Sequence, residues 1–420
     1  MQTEITPFNK TIKGKLIVPA SKSVSQRVLA LSLLVNGKTE IYNLGESDDE
    51  KAALDIIQQA GAKVNFNGNR CVIHTNKGRP TSSNRFNVHE SGLSTRMFTP
   101  ILANSEQSII IDGEGSILSR PMHFFEETLN HLNVNISTKN GCLPLHLKGP
   151  LRPQSIPVDG SLSSQFITGL TYGFVASPFL KKAKLKMIDL KSKPYLDLSL
   201  DVLRLFGVDL VFAKNTLHFE GPYTLKETTI DIEGDWSSVS FFLVLASIQG
   251  EIEFTRLNKN SKQADIAIIE ALEEFGANCY WENDSLFVKK KKLQHFTFDA
   301  THCPDLFPPL AALAVFGNAP SRIKGVHRLL HKESNRADSI EKEWKKMGCK
   351  VTINTDSDEM IVFPEKKIKG NTVSAQNDHR IAMALSILGL HADDQTIIKG
   401  SESVRKSFPS FFEVLNGFIP

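Results

Sequence analysis

Six segments of the chain carry apolar residues at three- and four-residue spacing, stop at a glycine or asparagine, and lead on toward a short apolar stretch. They read DDEKAALDIIQQAGAKVNF, RPMHFFEETLNHLNVNI, YLDLSLDVLRLFGVDL, ADIAIIEALEEFGANCYW, RADSIEKEWKKMGCKVTI and FPSFFEVLNGF. The spacing predicts an amphipathic helix in each. The stop residues are Gly61, Asn133, Gly207, Gly276, Gly348 and Gly417, separated by 72, 74, 69, 72 and 69 residues. Glycine just past a helix can take the left-handed conformation that closes it, and asparagine is the second choice. The stretches AKVNF, VNI, VDLVF, ANCYW and CKVTI are rich in β-branched and aromatic residues and predict strands. Ser47 and Glu50 fit a capping box at the first helix start. Further strands, such as RCVIHT (70–75) and SLFV (285–288), complete a βαβαββ unit used six times.

A chain of 420 residues is too long for one core. The expected fold is therefore α/β, with six βαβαββ repeats in two domains of three. The polar, turn-like segment 223–229 marks the midpoint. The first residues lack a partner in the first group and complete the second. The expected domains are 20–229, and 1–19 together with 230–420. Residues outside the repeating pattern become the candidates for chemistry.

Composition narrows the class without changing this picture. The chain is 41% hydrophobic and 23% charged, with a net charge of +3. That balance does not point to a nucleic-acid coat or a membrane-surface protein, and it fits a local basic site for anions. Five scattered cysteines (Cys71, Cys142, Cys279, Cys303 and Cys349) form no CxxC pair and no metal-ligand spacing, which predicts reduced packing residues. The start of the chain has no long apolar core of a signal peptide, and no apolar run is long enough to span a bilayer. A cytoplasmic protein is expected. The lysine run 289–292 reads as a solvated hairpin tip.

Several loops break the repeat. PASKSVSQR (19–27) puts hydroxyls, Lys22 and Arg27 at a helix start, a sound phosphate site although not a Walker loop. HESGLSTR (89–96), DGEGSILSRP (112–121), VDGSLSSQF (158–166), DLKSKPYLD (189–197), THCPDLFPP (301–309), LLHKESNR (329–336), QNDHRIAMA (376–384) and VRKSFPSF (404–411) follow. Lys22, Arg27, Arg96, Arg120, Lys193, Lys332, Arg336, Arg380 and Lys406 all lie on such loops. So many cations at helix starts point to more than one anionic group. The acids among them, chiefly Asp305 and Glu333, are of the type that serves as general base and acid.

SKSVSQR, SRP, VDGSLSSQF, SKPYLD, the Pro-Asp pair at 304–305, KES–NR, NDHR and KSFPSF resemble, in that order, the motifs of the 5-enolpyruvylshikimate-3-phosphate synthase family. The likeness runs from about Lys15 to Phe412. It implies an inside-out α/β barrel of two domains, each of three βαβαββ units. It also implies transfer of the enolpyruvyl group of phosphoenolpyruvate to the 5-hydroxyl of shikimate 3-phosphate, through a tetrahedral adduct. The small-molecule substrates would be the partners, with no metal and no organic cofactor, no nucleic acid and no membrane, in a monomer. Carried over by motif, Ser23, Arg27, Ser192 and Tyr195 would hold shikimate 3-phosphate. Ser163 and Ser164 would take its phosphate, and Gln165 would reach both substrates. Lys22, Gly92, Arg120, Arg336, Arg380 and Lys406 would hold phosphoenolpyruvate, and Lys22 would also touch shikimate 3-phosphate and take part in catalysis. Asp305 would be the base, helped by Lys332; Glu333 would be the proton donor, supported by His379.

The chain departs from the pattern in places. Where the family has Asn-x-Gly-Thr, this chain has Glu90, Ser91, Gly92 and Leu93. Gln26 replaces Asn, Asn335 replaces Asp, Arg328 stands at a position usually polar, and Ala264 replaces Gly. Arg328 and Asn335 are candidates to answer the Glu90 charge. The resemblance also implies inhibition by glyphosate, weakened here by Leu93; two domains joined by a double crossover predict hinge closure around the substrates. Three alternatives stand beside this reading. One is the sister enolpyruvyl transferase acting on UDP-N-acetylglucosamine, whose catalytic-cysteine loop is not evident here. The others are a catalytically decayed anion-binding homologue and a nucleic-acid protein using 289–292.

Overall fold

The computed structural model describes residues 1–76, 83–330 and 332–419. The chain is mixed α/β and divides into two compact units, Lys22–Ile232 and the combination of Met1–Ser21 with Glu233–Pro420.

In the Lys22–Ile232 unit three four-stranded sheets share one plan. The first runs Thr228–Asp231, Asn36–Tyr42, Arg70–Asn76, Lys63–Asn67; the second Arg85–Asn87, Ser108–Asp112, Cys142–Lys148, Asn135–Lys139; the third Ile156–Asp159, Lys182–Ile188, Thr216–Glu220, Val211–Ala213. In each, the first two strands are parallel and the later pairs antiparallel. Lys182–Ile188 shows why these segments are strands: Ala183, Leu185 and Met187 are buried while Lys182, Lys184 and Lys186 face water.

The second unit repeats the plan in two four-stranded sheets. These are Ile12–Ile17, Gly250–Thr255, Ser285–Lys289, Asn278–Glu282, and Thr297–Asp299, Ser321–Lys324, Glu359–Val362, Val351–Asn354. Its remaining sheet joins Thr372–Ser374 and Thr396–Lys399 in parallel, and Gln2–Ile5 pairs antiparallel with Thr396–Lys399.

Two kinds of helix accompany the sheets. Gly92–Leu102, Trp236–Gln249, Phe307–Ala314 and His379–Leu390 are buried at every position, and Lys22–Ser32 and Ser164–Ala176 nearly so. A helix apolar all round belongs inside. Close approach of two of them needs glycine: a Cβ on Gly169 would lie 2.0 Å from the Arg96 carbonyl oxygen, and one on Gly173 would lie 2.6 Å from Pro100. The other kind is amphipathic, as in Asp48–Gln59, which begins in the Ser47–Glu50 capping box.

Gly61, Asn133, Gly207, Gly276 and Gly348 all have positive φ and end their helices as the sequence predicts. Gly417 differs: it is the last residue of the Phe411–Gly417 helix and lacks a positive φ. The lysine run 289–292 is solvent-exposed but is not a hairpin tip. The hairpin turns at Asn283 and Asp284, both left-handed, and the lysines leave the far end of Ser285–Lys289. No helix among the described residues is long and apolar enough to cross a membrane.

Candidate functional site

In the Lys22–Ile232 unit the chemistry-bearing residues gather at helix starts that are tied to one another. Gln26 lies in the first turns of Lys22–Ser32, and its Oε1 accepts from the Ser91 hydroxyl (3.0 Å) and the Ser94 hydroxyl (2.9 Å). Ser91 also caps Gly92–Leu102 by accepting from the Ser94 N–H. From that helix, Arg96 Nη1 donates to Gln165 Oε1 at 2.9 Å, while its guanidinium stands 4.9 Å from the centre of the Phe166 ring. Ser163 caps Ser164–Ala176 through the Gln165 N–H. Three helix starts, each with positive N-terminal character, are thereby fixed together.

Gly92 sits between cations. A Cβ there would be 2.8 Å from Nη1 of Arg120 and 2.8 Å from Nη1 of Arg96. Arg120 follows the 3-10 turn Gly115–Ser119 and is buried. The neighbouring Glu90 turns toward this 3-10 turn, where Oε2 accepts from the Ser116 hydroxyl at 3.0 Å. A Cβ on Gly115 would clash with Glu90 Oε1 at 1.9 Å, so the bare backbone, at φ 59°, makes room for the carboxylate. Leu93 is buried.

Lys22 keeps its ammonium partly accessible and pairs with the buried Asp49 at 2.8 Å. Arg27 is almost wholly buried. Its Nε donates to the Ser199 hydroxyl (2.9 Å), Nη1 to the Ser23 carbonyl (2.7 Å) and Nη2 to the Tyr195 carbonyl (3.3 Å). Burial lowers the pKa of this guanidinium, opposed by Tyr172 and Tyr195. Ser192 adopts a left-handed φ of 52° just before Lys193–Leu205. A serine rarely stays there unless its surroundings hold it, and such strain concentrates at binding sites. Tyr195 is half-buried in the first turn of the same helix.

In the other unit five predicted residues share one network. Asp305, in the 3-10 turn Pro304–Leu306, accepts from Arg336 Nη1 (2.6 Å), Lys332 Nζ (3.2 Å) and Arg380 Nη2 (3.2 Å). Arg336 also donates from Nη2 to Glu333 (2.7 Å) and from Nε to Asp378 (2.7 Å). Asp378 is fully buried and caps His379–Leu390 through the Arg380 N–H. His379 is buried beside it, with Nδ1 3.9 Å from Asp378 Oδ1. Lys406 ends the 3-10 turn Ser401–Lys406, packed against the His379–Leu390 helix, and is also buried. Asn335 donates to Asp338 at 2.6 Å.

Charge balance sets the ionisation of this cluster. Burial alone would raise the Asp305 pKa, but Arg380, Lys332 and Arg336 outweigh it and hold the carboxyl well below its ordinary value. Burial lowers the Lys332 pKa, assisted by Arg336 and opposed by Asp305. Burial would also lower Arg336, yet Asp378, Glu333 and Asp305 together raise it. The cluster is a set of cations gathered around the carboxylates of Asp305, Glu333 and Asp378.

Reasoning from the sequence missed several members. Asp49 reads as a helix-start acid, Asp378 as a neighbour of His379, and Arg96 as one cation among many. Ser199 carried no signal at all. Burial pushes the thiols of Cys71 up to about 11, Cys279 to about 12 and Cys349 to about 12, and raises Cys303 as well. These are inert thiols rather than nucleophiles.

Comparison with known proteins gives the family of the chain. The profile of EPSP synthase (3-phosphoshikimate 1-carboxyvinyltransferase) matches residues 8–415. The 3-phosphoshikimate 1-carboxyvinyltransferase of Clostridium kluyveri is 32% identical over 406 residues, covering 96% of this chain and 94% of that protein. The Pyrococcus abyssi protein of the same name is 34% identical over 403 residues, with the same coverage. The solved structure of EPSP synthase from Acinetobacter baumannii superposes with a TM-score of 0.83 at 25% identity, covering 99% of this chain and 98% of that one. The chain belongs to the EPSP synthase family.

Proposed function

We propose that this chain transfers the enolpyruvyl group of phosphoenolpyruvate to the 5-hydroxyl of shikimate 3-phosphate. The products are 5-enolpyruvylshikimate 3-phosphate and phosphate. The observation that carries the reading is the Asp305 cluster: one carboxylate bound by three cations, with a second carboxylate, Glu333, on the same arginine. The full-length family match supports it.

The reaction needs a base, an acid and cations for two phosphates and two carboxylates. In our reading Ser23, Arg27, Ser163, Ser164, Gln165, Ser192 and Tyr195 hold shikimate 3-phosphate, and Asp305 and Lys332 meet its 5-hydroxyl. Lys22, Gly92, Arg120, Gln165, Arg336, Arg380 and Lys406 hold phosphoenolpyruvate. Arg27, already bonded from three of its five N–H groups, acts mainly by keeping Ser23 and Tyr195 in place.

Asp305 in the resting cluster is a weak base because three cations stabilise its charge. An anionic substrate that engages Arg336 and Arg380 draws those cations away and raises the basicity of Asp305 as the reactants assemble. Asp305, helped by Lys332, then takes the 5-hydroxyl proton while that oxygen bonds to C2 of phosphoenolpyruvate. Glu333, supported by His379, delivers a proton to C3. In the tetrahedral adduct the C2–O bond to phosphate then breaks, the departing phosphate takes the proton held by Asp305, and C3 returns its proton to Glu333, which forms the C2–C3 double bond of the enol ether. The departing phosphate is stabilised by the same cations that bound it.

The finer architecture belongs to the same reading: an inside-out barrel of six βαβαββ repeats, three per domain. The first domain, 20–229, carries the shikimate 3-phosphate loops; the second, 1–19 with 230–420, carries the acid–base groups and the phosphoenolpyruvate loops. The shared plan of five sheets supports the repeat count. We place the protein in the cytoplasm as a monomer.

The test is phosphate release from phosphoenolpyruvate, with and without shikimate 3-phosphate. Release only when both are present supports the transferase. Shikimate 3-phosphate binding without release would instead favour the decayed homologue.

A further inference from the structure

We propose that Glu343 is a positioning residue that sets the placement of His379 and Arg380 through the backbone connector 374–378. This inference rests on the function proposed above for its kinetic consequences, though not for its structural ones.

Glu343 is fully buried, on the Arg336–Lys346 helix. A buried carboxylate is tolerated only when donors satisfy it. Three do so: the Ser374 N–H (2.9 Å), Gln376 Nε2 (3.0 Å) and Lys346 Nζ (2.7 Å). Only Lys346 belongs to the same helix. The other two belong to the connector that leaves the Thr372–Ser374 strand and enters the His379–Leu390 helix.

Seven residues, close to two helical turns, separate Arg336 from Glu343, so both lie on one face. Arg336 grips Asp378 at the end of the connector, and Glu343 grips Ser374 and Gln376 at its beginning. Opposite charges on one helix face thus hold the two ends of a single short segment.

What lies between them needs holding. Gln376 and Asn377 are consecutive non-glycine residues with left-handed φ of 53° and 57°. Such a pair persists only where the surroundings over-determine it. Immediately beyond it, Asp378 caps the helix, His379 is buried, and Arg380 reaches Asp305 at 3.2 Å. Release of the connector would let the first turn of the helix relax, and a displacement of about 1 Å at a reacting group can reduce rate on the order of a hundredfold. Glu343 itself does not bond to Asp305, Glu333 or Arg380; its effect passes through Gln376 and Asn377.

The experiment compares Glu343→Gln, Gln376→Asn and Lys346→Met with the parent protein. Glutamine in place of Glu343 turns an NH2 group toward a donor. Asparagine at 376 keeps tolerance for the left-handed backbone but is too short to reach Glu343. We expect KM for phosphoenolpyruvate to rise about tenfold in the first two, the scale of one lost charge-assisted hydrogen bond, with shikimate 3-phosphate affinity within about twofold of the parent. Lys346→Met takes the paired cation from the buried carboxylate but leaves both connector bonds, so it should lower the melting temperature while KM and the His379 signal stay near the parent's. The double variant should be no worse than the more damaged single one. In the unliganded protein, the ring resonances of His379, assigned with His379→Gln, should move in both connector variants.

An unchanged KM and an unchanged His379 signal in folded Glu343→Gln would overturn the inference. So would a loss of activity that only follows the fraction of folded protein. If Glu343→Gln does not fold, the half-buried Gln376→Asn decides alone. If the parent protein shows no turnover, the proposed function fails, and the His379 signal still decides whether the connector is held by Glu343.

Discussion

Arg336 and Asp305 make the shortest bond in the carboxylate–cation cluster, 2.6 Å from Nη1 to Oδ1. Arg336 is at the same time bonded to Glu333 and Asp378, so one guanidinium ties the proposed base, the proposed acid and the helix cap into one rigid unit. Bidentate and multidentate arginine contacts fix geometry in a way a lysine cannot.

The first prediction concerns that cluster. Asp305→Asn should lower kcat by about 10²–10⁴ while leaving shikimate 3-phosphate affinity within about tenfold. Glu333→Gln should lower kcat on a similar scale. Arg336→Lys, nominally conservative, should lower both turnover and melting temperature, because it leaves Asp378 buried without its closest cation. Steady-state kinetics with thermal denaturation of the three variants checks this.

Gly92 gives the second. A methyl group at this position meets two guanidinium nitrogens at 2.8 Å, so Gly92→Ala must push Arg96 or Arg120 aside. KM for phosphoenolpyruvate should rise by about tenfold or more. Glyphosate should inhibit the parent protein weakly and Gly92→Ala more weakly still. Inhibition of the parent at sub-micromolar glyphosate and low phosphoenolpyruvate would contradict the expectation drawn from Leu93.

Packing between Gly92–Leu102 and Ser164–Ala176 gives a prediction about stability. A Cβ on Gly169 would overlap the Arg96 carbonyl oxygen at 2.0 Å, and backbone cannot swing away as a side chain can. Gly169→Ala should destabilise by about 1–3 kcal/mol or more. It should also disturb the Arg96–Gln165 bond, so substrate affinity should fall together with the midpoint of urea denaturation.

His391 predicts a pH dependence. Burial pushes its pKa down to about 4; a hydrogen bond to the Ile387 carbonyl opposes the shift, and Lys290 adds to it. The ring lies edge-on to Phe316, 4.7 Å between centres. Between pH 6.5 and 4 the unfolded chain therefore binds a proton that the folded one refuses. Stability from this residue is complete above pH 6.5 and declines as pH falls toward 4, by up to about 3 kcal/mol. Melting temperature measured across that window should show a decline that is smaller in His391→Gln.

Local signals made much of this fold legible. A helix, its stop residue and the following strand are contiguous, which is why Gly61, Asn133, Gly207, Gly276 and Gly348 could be placed from sequence. The capping box from Ser47 to Glu50 spans four residues and was equally visible. Gly417 failed because helical spacing alone does not fix φ at a terminal glycine. In the site, the cations and the acids Asp305 and Glu333 stood out by residue type at loop positions. Their partners did not. Arg27 meets Ser199 across 172 positions and Arg96 meets Gln165 across 69, and no periodicity encodes a pairing at such range. Asp49 and Asp378 were hidden in plain view, since a helix-start acid looks the same whether it faces water or a buried cation.

The pairing of Ile12–Ile17 with Gly250–Thr255, and of Gln2–Ile5 with Thr396–Lys399, sets a timetable for synthesis. Gln2–Ile5 and Ile12–Ile17 need partners made more than half the chain later. At about 5–20 residues per second, Ile17 waits roughly ten to fifty seconds for Gly250, while everything needed for Lys22–Ile232 has already emerged. During that interval Ile12–Ile17 is an unpaired strand, the state in which a nascent chain is most exposed to wrong pairings. Lys10, Lys13 and Lys15 fall in and beside that strand, and lysine of this kind discourages pairing of an open edge with the wrong strand.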